Sequence, residues 1–450
     1  MNDLLDLSPL KARAAALVEA AIKAGADGAD AVAVRGISLG AEVRNGKLEE
    51  MEHSEGDDLG LRVFTGSKSA IVSTSETDTK GFATLAERAV AMAKVAPDDK
   101  YAGIADAGLT GLAEADLDML DTNPVDLAAL REAALEAEDA CLGIKGVTKS
   151  GGASSSYSLT GVVLVSTNGF DGGYLRSRHG VSASAIAGEG TGMQRDYDYS
   201  STLHRADLKS AATVGRGAGE RAVARLNPAK METGDGTIVF DPRVSAGLVG
   251  NLASAANGSA IARGTSMLKN SMGKQVFAKG VSIVDDPLRV RGLSSRPFDG
   301  DGLPTRRLTI VEDGVLKSWL LDLATSRELG LATTAHAVRG VGSAPSPSSS
   351  NLAMLPGGET PEALISNVQN GIYVTELIGR GANTITGDYS RGAAGFRIRN
   401  GEIAEPVAEI TIAGNLTDMF ARLVPANDLE YRYATNAPTI MIEGMTIAGR

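Results

Sequence analysis

Apolar residues recur at helical spacing in four segments of the first half of the chain and alternate with polar residues between them. The first helix is expected to have Ser8 as its cap and Pro9 in its first turn, and to end at Gly25. The pattern predicts further helices and strands. The helices are 80–95, 125–141 and 208–226; the strands are 31–34, 37–43, 48–51, 59–64 and 70–73, with alternation through 157–186.

Turn residues connect several of these strands. Asn45-Gly46 and Thr65-Gly66-Ser67 each lie between two strand-like segments and predict hairpins. Residues 226–236 are rich in Pro, Gly and charge and are interpreted as a linker. These signals predict an N-terminal domain, residues 1–228, of helices over an antiparallel sheet.

The second half of the chain is mostly strand-like. Helices are predicted over 244–256 and 361–370, and a mobile loop over 343–350. The predicted strands are 237–240, 281–284, 308–311, a segment at Ile398, 410–412 and 439–442. The whole pattern indicates an α+β fold, in which residues 229–450 form a mainly-β, barrel-like C-terminal domain.

Composition and charge narrow the class of protein. The chain has 450 residues, of which 43% are hydrophobic and 22% charged, as in globular proteins. Its formal net charge of -11 disfavours a nucleic-acid partner, because phosphate binding needs clustered cations. The densest basic cluster is interpreted as a solvated helix face; it comprises Arg216, Arg221, Arg225 and Lys230.

Localisation follows from three further observations. Asp3 and Asp6 precede any basic residue, unlike the start of a signal peptide. No apolar run reaches the ~18 residues of a membrane span. The single cysteine, Cys141, excludes an intramolecular disulfide and fits a reducing compartment. We therefore expect a cytoplasmic protein with no membrane partner.

Common catalytic patterns fail on inspection. Residues 36–40 match G-x-S-x-G, but no helix follows them as a nucleophile elbow requires. Cys141 lies on an apolar helix face and is interpreted as a buried structural thiol. Residues 299–302 lack the ligands of a calcium loop and read as tight turns. No histidine stands four or five residues from another; the four are His53, His179, His204 and His336.

Ordered blocks in the second half resemble the TldD/PmbA family, also described as modulators of DNA gyrase, and specifically its PmbA (TldE) branch. These blocks are residues 298–307, 311–316, 350–357, 387–396, 400–403 and 410–420. The N-terminal hairpins agree with this family, so the resemblance covers essentially the whole chain.

The resemblance implies a degenerate metal site. The TldD branch carries a His-Glu-x-x-x-His helix and a later cysteine that together bind zinc. The equivalent segment is 237–248, where Asp241, Pro242 and Ala246 stand at the His, Glu and His positions. Alanine cannot ligate zinc and proline supplies no general base, so no catalytic or metal-binding residue and no cofactor are expected in this chain. Asp241-Pro242 is interpreted as a helix cap followed by proline in the first turn.

The implied function is a non-catalytic subunit of a TldD–TldE type zinc metalloprotease, active only with a TldD-type partner that holds the zinc. Its expected substrates are small or unfolded peptides, as in peptide-antibiotic maturation and antitoxin degradation. A homodimer is expected when the chain is alone. Two alternatives remain: a stand-alone regulatory or binding protein, and an independent hydrolase that uses Asp241 and Ser245.

The sequence leaves two interpretations open for each of two further sets of residues. The Gly-rich segments 299–302 and 387–395 either let the backbone approach a partner or peptide, or form tight turns. Arg306, Arg307 and Arg391 pair either with acids of a partner or a peptide carboxylate, or with acids inside the chain.

Overall fold

The computed structural model describes residues 5–449, so Asp3 lies outside the described residues. The chain is 25% helical and 38% strand, and its fold is of the predicted mixed class. The helices are α1 Ser8–Lys23, α2 Phe82–Val95, α3 Leu127–Leu142, α4 Ala211–Ala224, α5 Pro242–Ala255, α6 Gly258–Ala262, α7 Leu323–Leu329, α8 Pro361–Ser366 and α9 Leu416–Arg422.

Residues 5–228, here called the N-terminal half, contain one six-stranded antiparallel sheet in the order β3-β2-β1-β4-β5-β6. Asn45 and Gly46 both adopt left-handed backbone (φ 52° and 70°) and close the predicted first hairpin. The strands are β1 Gly28–Arg44, β2 Lys47–Thr65, β3 Lys68–Thr74, β4 Val147–Ser166, β5 Asp171–Ala187 and β6 Gln194–Thr202.

Strand β1 is continuous, whereas the sequence predicts two segments interrupted at Arg35 and Gly36. The reason is pairing on both sides: Asp30 to Val43 face β4 on one edge, and the whole strand faces β2 on the other. A residue that interrupts the hydrophobic alternation therefore stays in the strand, because its backbone takes part in the hydrogen-bond ladders to both neighbouring strands.

All four helices of this half pack on one face of the sheet. Leu10, Leu17 and Phe82 form the core under α1 and α2. A second core of small residues, including Ala134 and Val214, lies under α3 and α4.

The first helix corrects one prediction. Ser8 is its first residue rather than its cap, and the backbone N–H of Ser8 donates to the Asp6 side chain at 2.9 Å. Gly25, in left-handed backbone at φ 95°, ends the helix as predicted.

Residues 229–449, the C-terminal half, contain a closed five-stranded barrel. Its strands run β16-β15-β14-β7-β19, and β16 pairs again with β19. Strand β17 pairs with β19 beside the barrel, and a five-stranded sheet, β10-β9-β8-β13-β18, and the pair β11-β12 complete this half. The strands are β7 Gly234–Phe240, β8 Ile283–Asp285, β9 Leu308–Glu312, β10 Val315–Leu316, β11 Ala337–Val338, β12 Ser346–Pro347, β13 Leu352–Met354, β14 Asn370–Ile378, β15 Asp388–Arg399, β16 Glu402–Asn415, β17 Val424–Pro425, β18 Thr435–Asn436 and β19 Ile440–Ala448.

Three local predictions in and before this half need correction. Ser346–Pro347 pair with β11, so 343–350 is not wholly loop. Strand β7 begins at Gly234, inside the predicted linker. Helix α8 ends at Ser366, short of the predicted residue 370, because β14 begins at Asn370.

The two halves pack against each other through the sheet face that the helices leave open. Phe170 and Phe298 meet edge to face with their centroids 5.1 Å apart. The domain boundary at residues 228 and 229 stays a prediction. No helix within residues 5–449 is long and apolar enough to cross a membrane.

Candidate functional site

The segment that the family resemblance aligns with a zinc-binding helix lies where β7 ends and α5 begins. The Asp241 carboxylate accepts the backbone N–H of Arg243 at 2.9 Å, and Pro242 occupies the first turn. The predicted cap is therefore confirmed. The other carboxylate oxygen of Asp241 accepts the Tyr373 hydroxyl at 2.8 Å. Burial, together with the adjacent Asp241 charge, raises the pKa of Tyr373, so this hydroxyl remains a donor.

Arg243 connects this helix start to the N-terminal half. Its Nη1 donates to Asp196 on β6 at 3.0 Å, and its Nη2 donates to the Thr375 carbonyl on β14 at 3.4 Å. Burial opposes the charged guanidinium, but the Asp196 and Asp241 carboxylates hold the pKa of Arg243 above its ordinary value. Asp196 also contacts Arg225 at 3.4 Å, and Arg225 pairs in turn with Glu376. The start of α5 thus joins both halves of the molecule.

A cleft of about 210 Å³ opens beside Asp241. Its three arginines and three acids balance in charge, and most of its polar groups already form hydrogen bonds or ion pairs within the chain. Asp428 accepts the backbone N–H and the hydroxyl of Thr439, both at 2.8 Å. Arg432 pairs with Glu430 at 2.7 Å. The charged lining residues are Arg221, Asp241, Arg243, Asp428, Glu430 and Arg432.

The residues at this site do not fit a zinc ion. Asp241 is the one carboxylate at the three motif positions, and both of its oxygens already accept hydrogen bonds. Pro242 and Ala246 offer no donor atom. Within the part of the chain that the structure describes, no three His, Cys, Asp or Glu side chains are grouped as metal ligands.

Ser245, paired with Asp241 in the hydrolase alternative, points away from the cleft. Its side chain is fully buried and donates to the Pro438 carbonyl at 2.8 Å. The structure does not bring its hydroxyl to a base, as nucleophile activation requires.

Of the two Gly-rich segments, 299–302 forms a turn, whereas 387–395 is Gly387 followed by strand β15, so the tight-turn interpretation is wrong there. Asp299 accepts the backbone N–H groups of Asp301 and Leu303, and Gly302 adopts a left-handed φ of 82° against Phe170. Gly387, at φ 85°, leaves no room for a side chain beside Asn415. Contact with a partner or peptide at either segment stays a prediction.

The three singled-out arginines form no ion pair within residues 5–449. Arg306 donates to the Thr333 carbonyl at 2.9 Å, and Arg391 to the Ile378 carbonyl at 3.3 Å. Backbone contacts thus take the place of the internal salt bridges considered for Arg306 and Arg391, while pairing of the three arginines with a partner's acids stays a prediction.

The basic cluster is only partly the solvated face that the sequence predicts. Arg221 pairs with Asp198 at 2.9 Å, and the Arg225 side chain is 11% exposed within the network around Asp196. Arg216 is exposed. Ion pairs to Asp196 and Asp198 on β6, which the helical pattern does not reveal, partly bury Arg225 and Arg221.

The interpretation of Cys141 as buried is confirmed. Its side chain is 1% exposed, and burial raises the pKa of the thiol to about 11. Sequence reasoning missed Tyr373 and, above all, Asp196 at this site. Asp196 lies 47 positions before its partner Arg243, in a polar strand, and no motif marks the pair.

Family models match three consecutive parts of the chain. They are described as PmbA/TldA metallopeptidase domain 1 (residues 29–93), central domain (120–226) and C-terminal domain (233–449). The chain is 34% identical over 426 residues to Metalloprotease PmbA of Escherichia coli O157:H7, covering 94% of this chain and 93% of that protein. It is 36% identical to a PmbA homolog of Haemophilus influenzae, covering 96% and 94%. These relatives support a role related to proteolysis.

Solved structures agree with this relationship. A Bacteroides thetaiotaomicron protein named as a modulator of DNA gyrase aligns with a TM-score of 0.90 at 26% identity, covering 98% of this chain and 99% of that one. TldE of Thermococcus kodakarensis shares the fold, with a TM-score of 0.88 at 17% identity over 97% and 100% of the two chains. The protein is therefore a member of the PmbA/TldD metallopeptidase family.

Proposed function

We propose that this chain is the non-catalytic subunit of a two-subunit metalloprotease, in which a homologous TldD-type subunit holds the zinc and cleaves small or unfolded peptides. Peptide-antibiotic maturation and antitoxin degradation are the processes that the family suggests. The proposal places the complex in the cytoplasm and includes neither a nucleic-acid nor a membrane partner.

One observation carries the proposal: a capped helix, α5, follows β7 where the resemblance places the zinc motif, and its three motif positions lack the chemistry of a zinc protease. A hydrolytic zinc site needs three protein ligands and a group that handles the proton of the attacking water. Asp241 instead caps α5 and accepts the Tyr373 hydroxyl. Arg243, next in the helix, holds the halves of the molecule together through Asp196.

The family itself supplies the class of partner. A TldD homolog of Buchnera aphidicola is 26% identical over 270 residues, covering 58% of this chain and 53% of that protein. Homologous subunits commonly pair through related surfaces, and the same geometry would allow this chain to form homodimers when alone.

The test measures cleavage of an unstructured fluorogenic peptide by the purified chain alone, by a TldD-type subunit alone, and by the two together. We expect cleavage only in the mixture, and loss of cleavage when a chelator removes zinc. A partner variant with its motif glutamate replaced by Gln should be inactive in the mixture, although it still binds this chain in gel filtration.

Two outcomes would contradict the proposal. Cleavage by this chain alone, retained after gel filtration and lost in an Asp241→Asn variant, would support the independent hydrolase. Absence of any complex with a TldD-type subunit, with that subunit fully active by itself, would support a stand-alone binding protein.

A further inference from the structure

A second cleft, which shares no lining residue with the cleft beside Asp241, lies between α3, α4 and the helix-covered face of the N-terminal sheet. Its volume is about 230 Å³, below the ~300–1,000 Å³ of sites for drug-sized ligands. One wall is apolar and includes Leu130, Ala133 and Val181, whereas the other end is polar. The polar lining residues are Ser155, Ser156, His179, Arg205, Lys209, Ser210 and, from α3, Glu136.

His179 is the unusual group at the polar end. It is 2% exposed, and its Nε2 lies 3.3 Å from an Asp121 carboxylate oxygen without the geometry of a hydrogen bond. Within residues 5–449 its Nδ1 has no hydrogen-bond partner either. His336, the other buried histidine, has both ring nitrogens within 3.1 Å of an acceptor. Nε2 of His179 thus faces Asp121, and Nδ1, which has no partner inside the chain, is open to a ligand in the cleft.

Two cations line the same cleft. Neither Arg205 nor Lys209 forms an ion pair within the described residues, although the backbone N–H of Arg205 binds Asp121 at 2.8 Å. The 14-residue helix α4 begins at Ala211 and directs its positive end toward the same space. Glu136 is the one acid among the lining residues, so the polar end is net positive.

The structure does not extend the Asp121–His179 contact to a nucleophile. The Ser155 hydroxyl donates to the Gly180 carbonyl at 3.2 Å instead of to His179. Binding, rather than acyl transfer, is what this arrangement supports.

We infer that this cleft binds a small carboxylate with a compact aliphatic tail. The carboxylate would lie against Arg205, Lys209 and His179, and the tail against Leu130, Ala133 and Val181. The cation pair supplies charge, and the apolar wall supplies the burial that favours an aliphatic body over a bare oxyanion. This inference is independent of the proposed protease role.

Binding should take up a proton. Burial lowers the pKa of His179, Asp121 partly opposes this, and the nearby Arg205 and His204 charges lower the pKa further. Because Nε2 faces Asp121, a second proton on Nδ1 is needed to donate to a carboxylate. The other titratable groups around the ring are Tyr157, with ring centroids 5.0 Å apart, Lys209 and Glu136. The bound anion would stabilise the protonated ring.

The experiment is calorimetric titration of the full chain with isovalerate, its uncharged isostere isovaleramide, and inorganic phosphate. We expect isovalerate to bind at least tenfold more tightly than either comparison compound. At pH 7, the enthalpy in two buffers of different ionisation enthalpy should reveal proton uptake. His179→Gln should abolish that uptake.

Matched variants locate the site. Replacing Arg205 and Lys209 together by Gln should weaken isovalerate binding at least tenfold. The control replaces Arg131 on α3 and Arg216 on α4, both exposed and outside the cleft lining, by Gln. Equal weakening by both pairs, equal binding of isovaleramide, tighter binding of phosphate, or less than a twofold effect of the Arg205 and Lys209 changes would each overturn the inference.

Discussion

Replacing Arg243 by Met tests whether the retained helix start holds the two halves together. The methionine keeps most of the aliphatic stem and removes the guanidinium, whose Nη1 lies 3.0 Å from Asp196 and Nη2 3.4 Å from the Thr375 carbonyl. The Asp196 side chain is 4% exposed, so water cannot replace the hydrogen bond that the carboxylate loses.

The expected cost follows from what Asp196 keeps. Breaking a fully buried pair costs roughly 3–5 kcal/mol when the remaining charge is left alone. Here Arg225 remains at 3.4 Å and the Tyr197 N–H at 2.8 Å. A charge-assisted hydrogen bond contributes about 1.5–3 kcal/mol. We therefore expect a local destabilisation of about 2–3 kcal/mol, or about 30- to 160-fold in the opening equilibrium.

Native-state hydrogen exchange followed by mass spectrometry suits a chain of this size, because global unfolding need not be two-state. Protection should fall by that factor in β6 and the first turns of α5, while α1 and α2 keep theirs. Arg216→Met, on the exposed side of α4, is the control and should leave exchange unchanged. In an Asp196→Asn background, the effect of Arg243→Met should shrink by about 1–2 kcal/mol. A loss of protection below threefold, or an unchanged effect in that background, would refute the reasoning.

Three further predictions concern other buried groups. Glu138 is 1% exposed and accepts the backbone N–H groups of Asn45 and Gly46, both at 2.8 Å. Glu138→Gln should therefore destabilise the first hairpin by about 1–2 kcal/mol in hydrogen exchange, whereas Glu136→Gln, at an exposed position, should not. Equal effects of the two changes would contradict this role of Glu138. The Cys141 thiol, with its pKa raised to about 11, should resist a thiol reagent at pH 8 until the chain unfolds, and rapid native labelling would show that the thiol is accessible. Burial and the adjacent Asp299 raise the pKa of Asp301 to about 7, so the folded state binds more protons than the unfolded state between about pH 4 and 7. Thermal stability should therefore fall as pH rises through that window, and it should fall less steeply in the Asp301→Asn variant. An identical pH profile of the variant and the unchanged chain would contradict the assignment.

Local signals in the sequence predict much of the fold. The Asn45-Gly46 turn, the Gly25 helix end and the Asp241 cap each depend on the conformational preference of one or two residues, and the structure contains all three. Strand continuity through Gly36 was not predictable in this way, since two neighbouring ladders hold that residue.

The candidate site was likewise predictable only where residue identity decides. That Pro242 and Ala246 offer no metal ligand follows from residue identity, and their correspondence to a zinc motif is what the family resemblance implies. The contacts that Asp241 and Arg243 make with Tyr373 and Asp196 were not predictable, because Tyr373 and Asp196 come from distant strands. The Arg339–Asp30 pair, 309 positions apart at 2.5 Å, also joins the two halves without any sequence signal. Pairing of this kind depends on topology rather than local pattern.

Zinc content by elemental mass spectrometry tests the central claim most directly. The samples are this chain, the TldD-type subunit and their purified complex. The account predicts less than about 0.1 zinc per molecule of this chain, one zinc per pair of subunits, and complete loss when the partner's motif histidines are replaced. One zinc per molecule of this chain, released by Asp241→Asn while the fold is retained, would contradict it.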